Sequence, residues 1–354
     1  RQAAIAIQDG FLAAHLSQPV AGARGRPALH IYDTGLRGAR EAYLAARDDG
    51  AEFIVGPLLK PELEAIMDTA GSAPTLALNT LENGRSAANL YRFALAPEDE
   101  ASQVARHAVT NGASNAVALI PRNDWGDRLL GSFRTELEAL GGRLLQIRTY
   151  DPAGQDFSSA ITTVLNIDRS DRRRQRLGAD LGIPLEFESR RRQDIDAIFV
   201  AADAGAGRLL APQLRFYFAG DIPTYATSAI YESSRQNADL NGLLFADTPW
   251  ALEAGAAPPT LAATLRRYWP QRTSAQWTRF YGFGFDAFRL MFALHENPNT
   301  LSPFAALSGV LSLDETGRVR RELPLAQFRD GVPVAIEPEA GAPPESTAKL
   351  AGAR

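Results

Sequence analysis

The sequence predicts an α/β protein of two lobes, each a mostly parallel sheet flanked by helices, with several chain crossings between the lobes. Apolar strand-like runs alternate with amphipathic helical patterns, which is typical of βαβ units and of a parallel sheet. The alternation occurs in two successive runs, and the 354 residues leave room for two or three hydrophobic cores. Hydrophobic residues make up 45% and charged residues 22% of the chain, as in an ordinary folded protein.

The chain starts on a predicted helix rather than on a strand. Ile5, Leu12 and Leu16 fall on one helical face, while Gln8 and Asp9 lie off it. Because an α/β domain usually opens with a strand, we expect that a strand and further sequence precede Arg1 in a longer protein.

The first alternating run follows this helix. Its predicted strands are Ala28–Tyr32, Phe53–Gly56, Thr75–Leu78 and Tyr91–Leu95, and its predicted helices are Gly38–Arg47 and Pro61–Ala70. A more clearly marked helix begins at Pro97, a residue suited to the first helical position. The acidic Glu98, Asp99 and Glu100 complement the positive end of its dipole, and we expect this helix to run to about Thr110.

The second run contains a long charged interruption. Its predicted strands are Ala116–Ile120, Leu144–Tyr150 and Ile195–Ala202, and its predicted helices are Asp124–Leu140 and Phe157–Leu165. Between them, residues 166–194 are charged throughout and contain two arginine runs, Arg172-Arg173-Arg174 and Arg190-Arg191-Arg192. Two solvated helical turns separated by Gly182-Ile183-Pro184 are the simpler interpretation, and a partner-binding arm is the alternative.

The second arginine run precedes an apolar strand, where arginines can pair with acidic neighbours. We expect Arg190, Arg191 and Arg192 to pair with residues such as Glu186, Glu188 and Asp194 and to position the charged insertion.

The last third adds helices at Arg208–Phe218, Leu261–Tyr268 and Phe283–His295, and strands at Thr224–Ser228 and Leu243–Ala246. A late hairpin is predicted from Leu311–Leu313 and Val319–Leu323 around the turn Asp314-Glu315-Thr316-Gly317. Residues 338–354 are dominated by Ala, Gly, Pro, Glu and Ser, and are predicted to be a disordered tail.

Charge and composition exclude several classes of function. Lys and Arg number 37 against 41 Asp and Glu, a net charge of −4, so the basic excess that nucleic-acid binding requires is missing. The absence of cysteine removes disulfides, thiolate zinc sites, iron–sulfur clusters and cysteine nucleophiles. No run of about 18 apolar residues is present to span a membrane. No basic and apolar export signal opens the chain either.

Motifs for catalysis, metals and cofactors are also missing. The histidines His15, His30, His107 and His295 are isolated, so no metal-ligand spacing occurs and no metal or cofactor is predicted. The sequence has neither a Gly-x-Ser-x-Gly elbow nor a phosphate-binding P-loop. A match to the dinucleotide-binding pattern Gly-x-Gly-x-x-Ala occurs at Gly282-Phe283-Gly284-Phe285-Asp286-Ala287, but the strand that must precede such a loop is missing. We interpret this segment as a tight helix entry.

Several segments resemble branched-chain amino-acid-binding proteins and their relatives. They are Gly56-Pro57-Leu58-Leu59-Lys60, residues 93–100, Asn123-Asp124-Trp125-Gly126, and the hairpin at residues 313–319. Residues 190–199 and Phe245-Ala246-Asp247-Thr248-Pro249-Trp250 are more specific, and resemble the C-terminal domain of the LpoA family of penicillin-binding protein activators. This resemblance extends to about Pro338.

The resemblance implies a type I periplasmic-binding-protein fold and a regulatory role without catalysis. The expected partner is a bifunctional penicillin-binding protein, a peptidoglycan synthase that the protein would stimulate from the periplasm. The expected membrane attachment is a lipid anchor on an outer-membrane lipoprotein, upstream of Arg1. A solute-binding protein for an amino-acid-like ligand and an α/β enzyme remain as alternatives, and a peptidoglycan fragment remains open as a cleft ligand.

The lobes and their cleft can be placed on the sequence. Lobe 1 is predicted to contain residues 1–114 and 252–307, and lobe 2 residues 115–251 and 308–337. Residues that follow strand ends face the crevice of such a fold. The predicted cleft residues are Pro57, Leu58, Asn79, Thr80, Trp125, Asp203, Ser228 and Asp247. The arginines Arg172, Arg173, Arg174, Arg190, Arg191 and Arg192 are candidates for a structural or partner-binding role.

Overall fold

Two groups of strands, each with its own helices, make up the protein in a computed structural model. The structure describes residues 1–18, 27–81, 87–182, 190–233, 236–252, 259–272, 274–298 and 300–336. The predicted tail at 338–354 lies outside the described residues, as do Glu186 and Glu188. The described helices are α1 (Gln2–Ser17), α2 (Thr34–Arg37), α3 (Ala39–Asp48), α4 (Lys60–Ile66), α5 (Pro97–Thr110), α6 (Asp124–Ala139), α7 (Ser158–Val164), α8 (Ile167–Leu181), α9 (Ala204–Phe216), α10 (Pro249–Leu252), α11 (Pro259–Tyr268) and α12 (Thr278–Glu296). The described strands are β1 (Ile54–Val55), β2 (Thr75–Ala77), β3 (Leu90–Arg92), β4 (Asn115–Pro121), β5 (Arg143–Tyr150), β6 (Ala197–Val200), β7 (Thr224–Ala226), β8 (Leu244–Ala246), β9 (Phe304–Ala306), β10 (Gly309–Leu313), β11 (Val319–Glu322), β12 (Leu325–Arg329) and β13 (Val332–Ile336).

The larger sheet has seven strands in the order β13-β12-β8-β7-β6-β4-β5. The five strands from β8 to β5 pair in parallel, whereas β12 runs antiparallel to β8 and β13 antiparallel to β12. Its central strands are apolar along their length, because helices cover both faces. On one face Phe133 of α6 stacks on Phe199 of β6, with ring centroids 4.2 Å apart.

The smaller lobe combines two three-stranded sheets. Strands β1, β2 and β3 are parallel, and β9, β10 and β11 are antiparallel. A bridge between Arg92 and Arg318 joins the two sheets, and the Arg92 amide donates to the carbonyl of Gly317 at 2.9 Å. Phe93 stacks on Phe283 of α12, with ring centroids 4.4 Å apart, so both sheets share one core with this helix.

Close contact between α1 and α12 depends on glycine. A Cβ atom at Gly284 would lie 1.9 Å from the carbonyl oxygen of Ile7, and one at Gly10 would lie 2.1 Å from that of Tyr281. The predicted helix at the start of the chain is therefore present, but Leu12 is only half-buried and Asp9 lies on the buried face, together with Ala6, Gly10, Ala13 and Ala14. Gly284 was expected at a helix entry, but it lies inside α12. Glycine is needed there because the backbones of α1 and α12 meet at this position.

Several predicted elements differ in the structure. Ala28–Tyr32 forms no strand, and the Ile31 side chain is 63% exposed. In the charged insertion, α8 forms the helical part expected before Gly182, and the part expected after Pro184 lies outside the described residues as far as residue 189. Strands β9, β12 and β13 were not predicted. In the described part of the chain, no helix has the length and apolar character needed to cross a membrane.

The cores place two segments differently from the predicted lobe boundaries. The apolar side of α5 packs with α6 against the larger sheet, although lobe 1 was predicted to run to residue 114. Leu311 and Val319 of the β10–β11 hairpin belong to the core of the smaller lobe, although residues 308–337 were assigned to lobe 2. The lobes are therefore defined below by core membership. Lobe 1 has β1–β3, β9–β11, α1, α3, α4, α11 and α12, and lobe 2 has the seven-stranded sheet with α5–α9.

Candidate functional site

The predicted cleft residues of lobe 1 bind one another. The side-chain amide of Asn79 donates to the carbonyl of Leu58 at 2.7 Å, and the Thr80 amide donates to the Asn79 side-chain oxygen at 2.9 Å. Leu78 donates its backbone N–H to the carbonyl of Pro57 at 3.0 Å. These bonds tie the loop after β1 to the loop after β2, and the Asn79 amide is used in holding them together.

Trp125 and Asp203 lie in a cavity of about 300 Å³ in lobe 2. The cavity lies at the carboxyl ends of β4, β5 and β6, where α6 and α9 begin. The other lining residues are Pro121, Asn123, Tyr150, Pro152 and Ala206. Asn123 caps α6 by accepting from the Gly126 amide at 2.9 Å, and Asp203 caps α9 by accepting from the Ala206 amide at 2.8 Å. Both polar side chains therefore have a local structural role.

Ser228 and Asp247 meet a charged residue from the other lobe. Asp247 follows β8 and is fully buried, and its two carboxylate oxygens accept from Nε and Nη2 of Arg279 at 2.7 and 2.5 Å. Arg279 is at the start of α12 in lobe 1, and its Nη2 also donates to the carbonyls of Ser228 and Tyr231, at 3.1 and 3.3 Å. One guanidinium of lobe 1 thus holds the ends of two strands of lobe 2.

A second buried pair lies beside the first. Glu100 of α5 accepts the Ser228 amide at 2.8 Å, and Arg321 of β11 approaches the other oxygen of Glu100 at 3.9 Å. The Arg321 side chain has no exposed surface, and its Nη2 donates to the carbonyl of Ala96 at 3.4 Å. We call Glu100, Ser228, Asp247, Arg279 and Arg321 the interlobe junction.

The junction surrounds the places where the chain crosses between lobes. The first crossing, between β3 and α5, leads directly to Glu100, the second leaves β8 at Asp247, and the third follows Arg321. The Gln103 side chain exchanges two hydrogen bonds with the backbone of Leu323, at 2.9 and 3.1 Å. Buried polar contacts therefore bind all three crossings to one another.

Burial controls the ionisation of the junction. Loss of solvent raises the pKa of Glu100 to about 7, although the nearby Arg321 favours the carboxylate. Burial lowers the pKa of Arg321 for the same reason. Burial also opposes the charge on Arg279, but the Asp247 carboxylate outweighs it, so the pKa of Arg279 lies above its ordinary value. At Arg279, unlike Arg321, the attraction of a neighbouring carboxylate is therefore larger than the effect of burial on the pKa.

The arginine runs differ in how they are held. Arg192 donates to both oxygens of Asp194, at 2.7 and 2.9 Å, and to Gln146 at 2.9 Å. Arg191 pairs with Asp221 at 2.5 Å, a partner 30 residues further on. These two side chains are largely buried, whereas Arg190 is exposed. Asp194 was among the expected partners, but Asp221 was not, because it comes from a different loop.

The first arginine run lies on α8. Arg172 pairs with Asp168 one turn earlier, and the side chains of Arg173 and Arg174 are exposed. This run therefore has the character of a solvated helix face, and the described contacts of the second run are structural.

Three charged residues of the junction, Glu100, Arg279 and Arg321, were not predicted as site residues. Glu100 was interpreted only as a favourable residue in the first turn of a helix, and Arg279 and Arg321 were not selected. A usable signal was present, because Arg279 is a charged residue at the start of a helix rich in Phe and Tyr. Among the described residues, no group of three or more His, Asp or Glu side chains could hold a metal ion.

Comparison with known proteins places the chain in a family. The model of the family described as "LppC putative lipoprotein" matches residues 1–331. The penicillin-binding protein activator LpoA of Vibrio cholerae serotype O1 is 27% identical over 329 residues, which are 91% of this chain and 53% of that protein. The chain therefore spans about half the length of the curated relatives it matches.

Solved structures agree on the fold. The C-domain of LpoA from Haemophilus influenzae, described as a regulator of PBP1A, superposes with a TM-score of 0.73 at 24% identity, covering 95% of this chain and 96% of that one. A leucine-binding protein from Thermotoga maritima gives a TM-score of 0.57 at 17% identity, covering 95% and 94%. The protein has the two-lobed type I periplasmic-binding-protein fold that the sequence predicted.

Proposed function

The chain belongs to the LppC lipoprotein family, and from that membership we propose that it binds and stimulates a bifunctional peptidoglycan synthase of the penicillin-binding protein class. Relatives of the chain carry the name penicillin-binding protein activator, which supports this function. The chain spans only about half the length of those relatives, so the activity, the partner and the location are proposals for this chain.

The pairing of Arg279 with Asp247 is the structural observation that favours a regulatory role over solute binding. A solute-binding protein of this fold offers strand-end polar groups to a ligand between its lobes. Here the carboxylate of Asp247 and the carbonyl of Ser228, at the ends of β8 and β7, are bound by a guanidinium of lobe 1. The groups best placed to hold an amino acid therefore hold the two lobes together.

A protein whose lobes are held together in this way can still bind and regulate a partner enzyme through its outer surface. A regulator without chemistry of its own raises the rate of an enzyme only by binding one conformation of it better than another. The role that we propose is of this non-enzymatic kind. Stimulation of the synthase must then saturate as the concentration of the regulator rises. We also propose that the protein acts in the periplasm as a lipoprotein of the outer membrane, since the matching family is described as a lipoprotein family.

Surface plasmon resonance and a coupled activity assay test this function. The periplasmic part of a bifunctional synthase is immobilised and titrated with the chain, and glycan polymerisation and peptide cross-linking are measured in parallel. Saturable binding together with a rate increase that saturates over the same concentration range is the expected result. Isothermal titration of the chain with free amino acids is the counter-test. Micromolar binding of an amino acid without binding to the synthase would make a solute-binding function the better account.

A further inference from the structure

Two neighbouring aromatic side chains of lobe 2 are exposed to solvent. Phe216 is 75% exposed at the end of α9, and Phe218 is 57% exposed just beyond it. Tyr217 lies between them and packs on the hydrophobic core, so the backbone of this turn is anchored while its flanking rings point outward. Large exposed aromatics in close succession are characteristic of protein interfaces rather than of ordinary surface.

The backbone conformation of Phe218 is one that phenylalanine adopts less readily than some other residues do. Its φ is +62°, in the left-handed region that glycine and asparagine adopt more readily than phenylalanine. The turn is held by the Ala219 amide, which donates to the carbonyl of Leu214 at 2.9 Å. Any residue that can adopt this φ could form the turn. A ring that is largely exposed contributes little hydrophobic stabilisation to the fold. Fold stability therefore does not account for phenylalanine here.

The segment that carries Arg190 and Arg191 lies beside this turn, and the arginine-rich helix α8 lies on the same side of the larger sheet. Arg191 pairs with Asp221, three residues after Phe218, and the neighbouring Arg190 is exposed. Helix α8 carries five arginines and three aspartates in a chain whose net charge is −4. Ile167, at the start of α8, shares a core with Leu214 of α9, so both helices lie on the same side of the larger sheet.

We propose that this side of lobe 2 is the surface that docks on the synthase, an inference that rests on the proposed function. We call it the aromatic–arginine face, and it consists of the exposed side chains of Arg173, Arg176, Arg190, Phe216 and Phe218. Aromatic and arginine side chains are the residues that most often carry the binding energy of protein interfaces. The surface it fits is an apolar depression rimmed by carboxylates on the periplasmic part of the synthase.

A protein partner fits this face better than an anionic membrane does. Helices that lie on membranes combine a basic face with a broad apolar face. In α8 the exposed apolar side chains are Leu177 and Leu181, while Asp168 and Asp180 add charges that anionic lipid would repel. Carboxylates on a folded partner can instead be arranged to meet the arginines alone.

Substitution of the two phenylalanines tests the face directly. Phe218→Asn keeps a residue that tolerates the backbone angle, and Phe216→Ser removes the more exposed ring. Each change is expected to weaken binding to the immobilised synthase by about tenfold or more, while thermal melting of Phe218→Asn stays at or above that of the unsubstituted chain. Tyr268→Asn is the matched control, because Tyr268 is 49% exposed on α11 of lobe 1, and its binding is expected to be unchanged.

The outcomes separate this inference from the function beneath it. If the unsubstituted chain binds and stimulates the synthase and both phenylalanine variants do so equally well, the face is wrong and the function stands. If the unsubstituted chain does not bind the synthase at all, both are overturned. Binding to vesicles of anionic lipid that the two substitutions abolish, with synthase binding intact, would assign the face to a membrane. A marked fall in the melting temperature of Phe218→Asn would show that Phe218 serves the fold.

Discussion

Arg279→Met is the most informative single substitution at the interlobe junction. It leaves the fully buried carboxylate of Asp247 without its partner and removes the donor to the carbonyls of Ser228 and Tyr231. Removing one member of a buried ion pair costs about 3–5 kcal/mol. Because the Arg279 side chain keeps 24% of its exposure, water can partly solvate the site, and we expect the free energy of unfolding to fall by about 3 kcal/mol.

Urea denaturation of matched variants measures this loss. The double variant Arg279→Met/Asp247→Leu leaves no unpaired buried charge and is expected to recover part of the loss, while the carbonyls of Ser228 and Tyr231 stay without their donor. Arg106→Met is the control, because Arg106 is 58% exposed in its pair with Glu136 and its loss should cost less than about 1 kcal/mol. A cost for Arg279→Met no larger than that of the control would refute the claim that this pair holds the lobes.

Three further changes probe other parts of the structure. The pKa of Glu100, about 7 in the folded protein against 4.5 ordinarily, means that the folded state binds the extra proton, so this group makes stability fall as pH rises from 4.5 to 7. Glu100→Gln should remove that slope in urea denaturation across the range, and an unchanged slope would contradict the burial argument. Arg192→Ala removes a side chain that is 10% exposed and should lower stability by about 1–3 kcal/mol, and a variant that melts like the unsubstituted protein would rule out its structural role. Gly284→Ala forces a Cβ to within 1.9 Å of the Ile7 carbonyl oxygen and should destabilise the protein by at least about 3 kcal/mol. Gly131→Ala is the control, because nothing lies within 4 Å of a Cβ there, and it should stabilise the protein by about 0.5–1 kcal/mol. Equal melting temperatures for these two glycine variants would contradict the packing of α1 on α12.

Local signals in the sequence predicted elements whose determinants are local. The helix at Pro97–Thr110 was predicted with its observed ends, because proline and three acidic residues mark its start. The continuous apolar run at β6 also predicted a buried strand. By contrast, Ala28–Tyr32 was predicted to be a strand, but it pairs with none of the described strands. Strand pairing is a property of the assembled sheet, and a single segment does not contain it.

The site depends on contacts between distant residues, and these were beyond the sequence. Asp247 was selected because it follows a strand, but its partner Arg279 lies 32 residues away on a helix of the other lobe. Glu100 and Arg321 meet across 221 positions of the chain. The carboxylate of Asp247 could be predicted because it follows a strand. The guanidinium of Arg279 could not, because nothing in its own segment indicates which distant residue it binds.

Titrating synthase activity with the chain tests the central claim most directly. The account predicts that glycan polymerisation or peptide cross-linking rises with chain concentration and then saturates, that the response weakens as salt is raised from 0.1 M to about 1 M, and that the chain alone converts no substrate. The salt dependence follows from the arginines of the aromatic–arginine face. An unchanged synthase rate at all chain concentrations would contradict the account, as would turnover of peptidoglycan precursor by the chain in the absence of the synthase.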